Sequence, residues 1–294
     1  MAYKSKQRNF KKRETKAEYA ARKKAEKDAA YETIDNSISE MMQNDDSFVN
    51  YLNFQSNMDR YTASNAILIM SRCPDATKLK SKGGWKELDV EVQVSEDEAI
   101  HILKPSDYID NEGNQRTSYN VDYIYDISQT DAQPQPPQKA ESNPKVLAMA
   151  LMKSATVPKV AVDELPTPNS TAFYDNENNK LLVKRNSDSV SLFKDISREL
   201  SLAEIADGCD EYNRQECLPS AVCSAYMLCR KYGIDARDMN VTAAKQEWEG
   251  LENKDVRTML AMANDGLYSV GKNLYVQLQK EKEAAEKTEK EPAR

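Results

Sequence analysis

Histidine is nearly missing from this sequence: among 294 residues, His101 is the single one. A zinc peptidase of the H-E-x-x-H type uses two histidines on one face of a helix, because both must offer a ring nitrogen to the same ion. The composition therefore excludes that class of enzyme. Long apolar segments are missing too: no run of about 18 apolar residues occurs, so the sequence predicts no transmembrane helix.

Cysteine is scarce, and its number indicates a reducing compartment. Five cysteines, an odd count in a chain of this length, do not suit a secreted disulfide scaffold. The basic start, MAYKSKQRNFKKRETK, is not followed by an apolar core, so it is not predicted to be a secretory signal. We therefore predict a cytoplasmic protein with no membrane partner.

Four of the cysteines lie within 21 residues, which raises the question of a zinc site. Zinc ribbons and fingers place cysteines in pairs two to four residues apart, and this segment does not have that spacing. Buried, small apolar side chains are the better interpretation. The four residues are Cys209, Cys217, Cys223 and Cys229.

The net charge of −7 is unevenly distributed along the chain. Residues 1–28 contain eleven Lys and Arg against four acids, a charge of +7, so the remaining chain carries −14. A basic arm on an acidic body is typical of proteins that contact a polyanion. A solubilising, partly helical tail without a partner explains the arm equally well.

The order of predicted elements is helices, then a small sheet, then mostly helices. Helix-favouring composition begins at Glu14, and Asp45-Asp46-Ser47 caps a second helix. Strand-like segments, with apolar residues at a period of two, are residues 85–94, 99–103 and 119–127. After the proline-rich residues 131–144 come a helix, a hairpin in FYDNENNKLLVKR, and helices over 189–206, 217–232, 243–251 and 254–278.

The segment YTASNAILIMSRCPDATKLKSKGGWKEL, residues 61–88, resembles the N-terminal domain of ArdC-type antirestriction proteins and of LtrC-like proteins on conjugative elements. The resemblance rests on Asn65 followed by Leu68-Ile69, then PDAT at 74–77 and WKEL at 85–88. AIHILKP and YIYDISQT extend it in the same order. RELSLAEI and CLPSAVCSAYMLCRKYGID then stand where the family has a helix reading H-E-x-A-H and a helix ending E-S-V-A-Y-x-V-C.

This resemblance covers residues 30–275 and implies an α+β fold in two domains. N-terminal helices with a small antiparallel sheet would bind single-stranded DNA. A hairpin and a mostly helical, zincin-like domain would follow. The predicted boundaries are a disordered or helical basic arm at 1–28, the DNA-binding domain at 29–131, a linker at 132–144, the zincin-like domain at 145–278 and a charged tail at 279–294.

The zincin-like part departs from the family at its metal ligands. Arg198 stands at the first ligand position and has no lone pair for a metal, whereas Glu199 keeps the glutamate position. Leu202 and Val222 stand at the second and third ligand positions. We therefore predict a pseudoenzyme without catalysis, metal or cofactor, in which Arg198 fills the vacated space and pairs with Glu199 or another acid.

A metal held by carboxylates is the remaining route to an enzyme, and it would require stoichiometric metal in the purified protein. The carboxylates that could take part are Glu199, Glu204, Asp207 and Glu216.

The predicted DNA contacts are basic residues and their neighbours near the PDAT and WKEL motifs. Lysine and arginine neutralise phosphates, and an aromatic ring can stack on a base. Trp85 suits base stacking but suits the core of the sheet better. His101 alternates with two isoleucines and is expected on the polar face of a strand. The predicted residues are Tyr61, Asn65, Arg72, Lys78, Lys80, Lys82, Trp85 and Lys86.

The sequence thus favours a non-catalytic protein of a mobile genetic element that binds single-stranded DNA, with the zincin-like domain as a scaffold or docking surface. The turn SEDEA after Val94 is acidic where the family has glycine and lysines, which weakens the inherited DNA affinity. The alternative is an acidic inhibitor that binds a host nuclease or restriction enzyme directly.

Overall fold

A computed structural model describes residues 15–133 and 141–290. The chain begins with three helices: α1 (Lys16–Gln43), α2 (Asp45–Asn57) and α3 (Ala63–Arg72). Each starts at a side chain that accepts backbone N–H groups, namely Thr15, Asn44 and Thr62. Such caps satisfy donors that the first turn of a helix leaves free.

An antiparallel sheet follows, as the sequence predicted. Its strands are β1 (Leu79–Lys80), β2 (Ile100–Ile109) and β3 (Gln115–Asp126), in the order β1–β3–β2. A short helix, α4 (Lys82–Lys86), lies between β1 and β2. The long β2–β3 hairpin keeps its buried residues at the end that packs on the first three helices.

The strand predicted over residues 85–94 is wrong. Trp85 lies in α4, Asp89 has a positive φ of 55°, and Val92 makes one isolated bridge to Thr130. The alternating valines instead pack against a small second core around Trp85 and Tyr125. Because one side of this irregular segment packs on that core, its apolar residues alternate with polar ones as they would in a strand.

The second half of the chain places a three-stranded sheet against a helical bundle. After α5 (Pro144–Ser154) come β4 (Lys159–Val162), β5 (Ala172–Asp175) and β6 (Lys180–Lys184), in the order β4–β6–β5. The β5–β6 hairpin was predicted, whereas the parallel strand β4 was not. The helices are α6 (Ser189–Asp207), α7 (Arg214–Tyr232), α8 (Val241–Gln246) and α9 (Asn253–Lys290).

One continuous core joins the two halves of the described chain. Its buried residues run from Ala30 in α1 to Leu274 in α9. Polar contacts also cross between the halves: Gln55 Nε2 donates to Asn264 Oδ1 at 2.8 Å, and Lys231 pairs with Asp59 at 2.5 Å. The predicted division into two domains stays a prediction.

The predicted arm, linker and tail are described only in part. Residues 1–14, 134–140 and 291–294 lie outside the described residues. Residues 16–28 of the arm form the first turns of α1, and residues 279–290 of the tail continue α9. Among the described helices, none combines the length and the apolar character needed to cross a membrane.

Gly266 allows α9 to cross α6 and α7 closely. A Cβ at this position would lie 2.8 Å from Ser224 Oγ and 2.9 Å from Ser201 Cβ, and these two serines are buried and hydrogen-bonded at 2.7 Å. Gly266→Ala is therefore expected to lower the free energy of unfolding by about 1–3 kcal/mol. This loss should appear in urea unfolding although alanine is favoured in helices by about 1 kcal/mol.

Gly271→Ala in the same helix is the matched control. A Cβ there would meet Leu228 Cδ2 at 3.4 Å, and this methyl group can move. We expect it to be neutral or slightly stabilising. If Gly266→Ala and Gly271→Ala had equal free energies of unfolding, the contacts at Gly266 would not limit how closely α9 approaches α6 and α7.

Candidate functional sites: a buried arginine–glutamate cluster and a lysine patch

The four positions that the sequence predicted to correspond to a zinc site do not form a metal-ligand set. Leu202 is fully buried in the apolar core, and Val222 on α7 is partly buried against the same core. Neither side chain has a lone pair to offer. Arg198 and Glu199 lie on α6, so the single potential ligand among these four positions is Glu199.

Glu199 is fully buried, and both of its carboxylate oxygens are engaged. Oε1 accepts hydrogen bonds from Arg198 Nε at 3.0 Å and Arg214 Nη2 at 2.8 Å. Oε2 accepts from Arg214 Nη2 at 2.7 Å and from the backbone N–H of Tyr174 at 2.8 Å. Four contacts occupy the four acceptor sites of a carboxylate, so neither oxygen is open to a metal ion or a reacting water.

Arg198 pairs with Glu199 and with Asp195, and the pairing with Glu199 was predicted from the sequence. Its Nη1 contacts Asp195 Oδ1 at 3.0 Å, and its Nη2 donates to Ser170 Oγ at 3.0 Å. The other oxygen of Asp195 accepts from the backbone N–H of Thr171 at 2.7 Å. Two arginines thus balance two carboxylates, and we call Asp195, Arg198, Glu199 and Arg214 the arginine–glutamate cluster.

Arg214 was not identified from the sequence. It is the first residue of α7, after the cap Asn213, and its guanidinium lies 4.4 Å from the centre of the Phe173 ring. A cation at the start of a helix meets the positive end of the helix dipole, which is unfavourable. An arginine at this unfavourable position indicates a specific anionic partner, and it is the signal in the sequence that could have identified Arg214. The structure shows that the partner is Glu199.

The cluster also covers part of a sheet edge. β5 is an edge strand, and the backbone N–H and C=O of its Tyr174 bind Glu199 and Arg214 at 2.8 and 3.3 Å. An open edge would offer these groups to another extended chain. Here the side chains of Glu199 and Arg214 bind these backbone groups instead.

The donor set does not fit a resident zinc ion. Within residues 15–133 and 141–290, no three His, Cys, Asp or Glu side chains are grouped to hold a metal. Two members of the carboxylate set considered from the sequence have other partners: Glu204 accepts from Thr156 and Glu216 from Asn213.

The cysteines do not supply ligands either. Cys217, Cys223 and Cys229 are buried and free, as predicted, whereas Cys209 is exposed, contrary to the prediction. Burial raises the pKa of the Cys217 and Cys223 thiols and raises that of Cys229 to about 12. A metal binds the thiolate, so these protonated thiols are poor ligands.

Added metal is therefore expected to leave stability unchanged. A ligand that binds the folded state raises the melting temperature by mass action. Because three donor groups already make four hydrogen bonds to Glu199, a tenfold excess of Zn(II) or Mn(II) should not raise the melting temperature of protein pretreated with a chelator. Metal retained at one equivalent through gel filtration, together with a rise in melting temperature, would contradict the pseudoenzyme interpretation.

On the other half of the molecule, four lysines gather around β1 and α4. Lys82 and Lys86 lie at the two ends of the single turn of α4, so their side chains are neighbours. Lys78 Nζ lies 5.8 Å from the centre of the Trp85 ring, and a Cβ on Gly84 would be 3.5 Å from Lys80 Cβ. We call Lys78, Lys80, Lys82 and Lys86 the lysine patch.

The charges of the lysine patch are uncompensated within the described residues. None of its four side chains forms an ion pair there, and three of the four lysines are exposed. Two other cations of this half do form ion pairs: Lys104 with Asp122 and Arg116 with Asp110. The patch therefore carries four lysines without ion pairs, three of them exposed to solvent.

The remaining predicted DNA contacts have different surroundings. Arg72 is exposed at the end of α3, and its Nη2 donates to the carbonyl of Asp97 at 3.3 Å. Tyr61 precedes the start of that helix, about 15 Å away along ten residues. It is half-buried against the core, and burial raises its pKa. The structure therefore does not bring Tyr61 to the lysine patch.

Asn65 and Trp85 are buried and hold the scaffold together. Asn65 donates to the carbonyl of Leu103 at 3.0 Å and accepts from its N–H at 2.7 Å, so it pairs with β2 as a strand would. Trp85 is 1% exposed and donates through Nε1 to the carbonyl of Tyr125 at 2.9 Å. This agrees with the preferred interpretation of Trp85 as a core residue.

The chain is similar to known proteins at the level of structure. No protein-family model matches the sequence, and no curated protein matches it. A Mn(II)-bound crystal structure of the antirestriction ArdC protein from the R388 plasmid is similar in fold, with a TM-score of 0.48 and 14% identity over 74% of this chain and 84% of that one. A metal-free structure of ArdC gives 0.45 and 13%, over 74% and 85%.

Proposed function

We propose that this chain is a non-catalytic, single-stranded-DNA-binding protein of the antirestriction type, carried by a conjugative or other mobile element. The lysine patch supports the DNA-binding part most directly. Its four lysines have no ion-pair partners within the described residues and span residues 78–86, from the residue after PDAT to the second residue of WKEL. The antirestriction part rests on the resemblance of those motifs to the ArdC-type family.

Electrostatics decide the kind of DNA binding. Lysines bind phosphates as point charges, and phosphates are present in every sequence. Because Trp85 and Asn65 are buried, Trp85 does not stack on a base and the amide of Asn65 does not contact the DNA. The site then consists of the lysine patch and Arg72, and its binding should be tolerant of sequence and sensitive to salt.

The basic arm consists of two parts that differ in their surroundings. Residues 1–14 hold six of its eleven cations and lie outside the described residues. The rest belongs to α1, where Lys23 and Glu26 both bind Tyr123 Oη, at 3.0 and 2.9 Å. A test of the arm should therefore delete residues 1–14 and leave α1 intact.

The zincin-like half is proposed as a scaffold or docking surface. A hydrolase needs a base that can accept a proton from water. Both oxygens of Glu199 are occupied by two arginines and a backbone N–H, so Glu199 is a structural acid here.

One observation favours the rival function, an acidic inhibitor that binds a host DNA-processing enzyme. Residues 87–98 contain six acids and no basic residue, and all six acids are exposed. Such a surface can complement the basic cleft of a nuclease. The six residues are Glu87, Asp89, Glu91, Glu96, Asp97 and Glu98.

Fluorescence anisotropy against a labelled single-stranded oligonucleotide, titrated across salt, separates the two functions. We expect salt-sensitive binding that persists after deletion of residues 1–14. Absence of binding at low salt would overturn the DNA proposal. Direct binding to a nuclease in the absence of DNA would then favour the acidic inhibitor.

A further inference from the structure

A cleft of about 430 Å³ lies between α1, α3 and the start of β2. Each element presents one face to it. On α1 that face is Glu26, Ala29, Ala30 and Thr33, at helical spacing, and on α3 it is Leu68, Ser71 and Arg72. The third wall is formed by alternate residues Asp97, Ala99 and His101.

Small side chains create this space. Ala29, Ala30 and Ala99 line the cleft where larger residues would fill it, and Leu68 completes an apolar floor. The α1 wall runs from Glu26 to Thr33, about 10 Å at 1.5 Å per residue. The cleft is therefore long enough for one planar ring with its sugar.

His101 supplies the polar character of the cleft. Its ring packs edge-on against Tyr123, with the ring centres 4.9 Å apart, and neither ring nitrogen has a hydrogen-bond partner within the described residues. Glu26, in contrast, is already saturated by Lys23, Arg22 and Tyr123. Arg72 lies at the mouth of the cleft with its guanidinium exposed.

We infer that this cleft binds one nucleoside unit of single-stranded DNA, with the base over the alanine floor beside His101 and the adjoining phosphate at Arg72. This inference rests on the proposed function and extends it from phosphate contact to base contact. Arg72 connects the two parts, because it lines the cleft and precedes the lysine patch by six residues.

The charge state of the cleft suits a neutral base. Burial lowers the pKa of His101, Glu26 opposes this effect, and Lys23 and Arg72 reinforce it. The imidazole is therefore neutral at pH 7 and offers one donor and one acceptor to the edge of a base. Asp97 stands at the same mouth, where its backbone carbonyl binds Arg72.

The single histidine makes a direct test possible, because selective ¹³C labelling of histidine gives signals from one residue of the chain. Titration with a 12-mer oligothymidylate, and separately with thymidine monophosphate, should shift the His101 ring resonances. Ala29→Leu should fill the cleft, abolish the shift and weaken oligonucleotide binding about tenfold, a loss typical of one stacked base.

Ala20→Leu is the matched control. Ala20 and Ala29 are both exposed on α1, and nine residues place them on opposite faces of the helix. Both variants should retain the circular dichroism spectrum and melting temperature of the parent. The Ala20→Leu protein should show the full His101 shift.

The outcomes distinguish this inference from the proposed function. Oligonucleotide binding by anisotropy without a His101 shift, and without an effect of Ala29→Leu, would overturn the cleft and leave DNA binding at the lysine patch intact. A His101 shift with the mononucleotide but no oligonucleotide binding would support the cleft and overturn the DNA function. A shift caused equally by inorganic phosphate would overturn base recognition.

Discussion

Arg214→Ala is expected to lower the free energy of unfolding by about 3 kcal/mol, in the range found when one partner of a buried ion pair is removed. Arg214 donates to both oxygens of Glu199, at 2.8 and 2.7 Å, and Glu199 is fully buried. The substitution leaves one arginine against two carboxylates. It also leaves the carbonyl of Tyr174 without its donor and removes the guanidinium from the Phe173 ring.

Urea unfolding of three further variants assigns the cause of this loss. Arg230→Ala, at an exposed position near the end of the same helix, should change stability by less than about 0.5 kcal/mol. Glu199→Gln removes the charge but keeps the shape. In a double-mutant cycle, Arg214→Ala should cost clearly less in the Glu199→Gln background than in the parent. Additive losses would show that Arg214 stabilises the protein independently of the charge of Glu199, through its contacts with Tyr174 and Phe173.

Replacing the four lysines of the patch by glutamine is expected to weaken binding to single-stranded DNA about 600-fold at 0.1 M salt. Each neutralised phosphate contributes about 0.7 to the slope of log affinity against log salt for single strands. Four contacts therefore account for a slope of about 2.8, and the variant should lose this much salt dependence. Anisotropy titrations at several salt concentrations measure both quantities.

The matched control changes the net charge equally at a distant surface. Lys159, Lys180, Lys184 and Lys254 are exposed residues of the second half, and their replacement by glutamine should alter affinity less than about threefold, as expected for screened charges. If both quadruple variants lost affinity equally, binding would depend on net charge rather than on the lysine patch. An unchanged slope in the patch variant would move the contact elsewhere, with residues 1–14 as the next segment to remove.

Local sequence signals predicted most of the helices and the β5–β6 hairpin. The turn after Asp175 acts within a few residues, so it was visible in the chain itself. The cap of α2 was predicted at Asp45-Asp46-Ser47, but the side chain that accepts the first backbone N–H groups is that of Asn44. The same signals gave the wrong result at 85–94, where valines alternate because one side of an irregular segment packs on Trp85. The parallel strand β4 was missed because its partner β6 lies beyond the intervening strand β5.

The sequence by itself determined that a zinc site of the H-E-x-x-H type is impossible here, because the chain has one histidine and Arg198 has no lone pair. It also determined the spacing of the four lysines. Only the tertiary structure decided that Arg214 meets Glu199, that Asn65 and Trp85 are buried, and that His101 faces an alanine-lined cleft. The reason is physical: which atoms a side chain can offer is a property of the residue, whereas its partners depend on how elements distant in the sequence pack together.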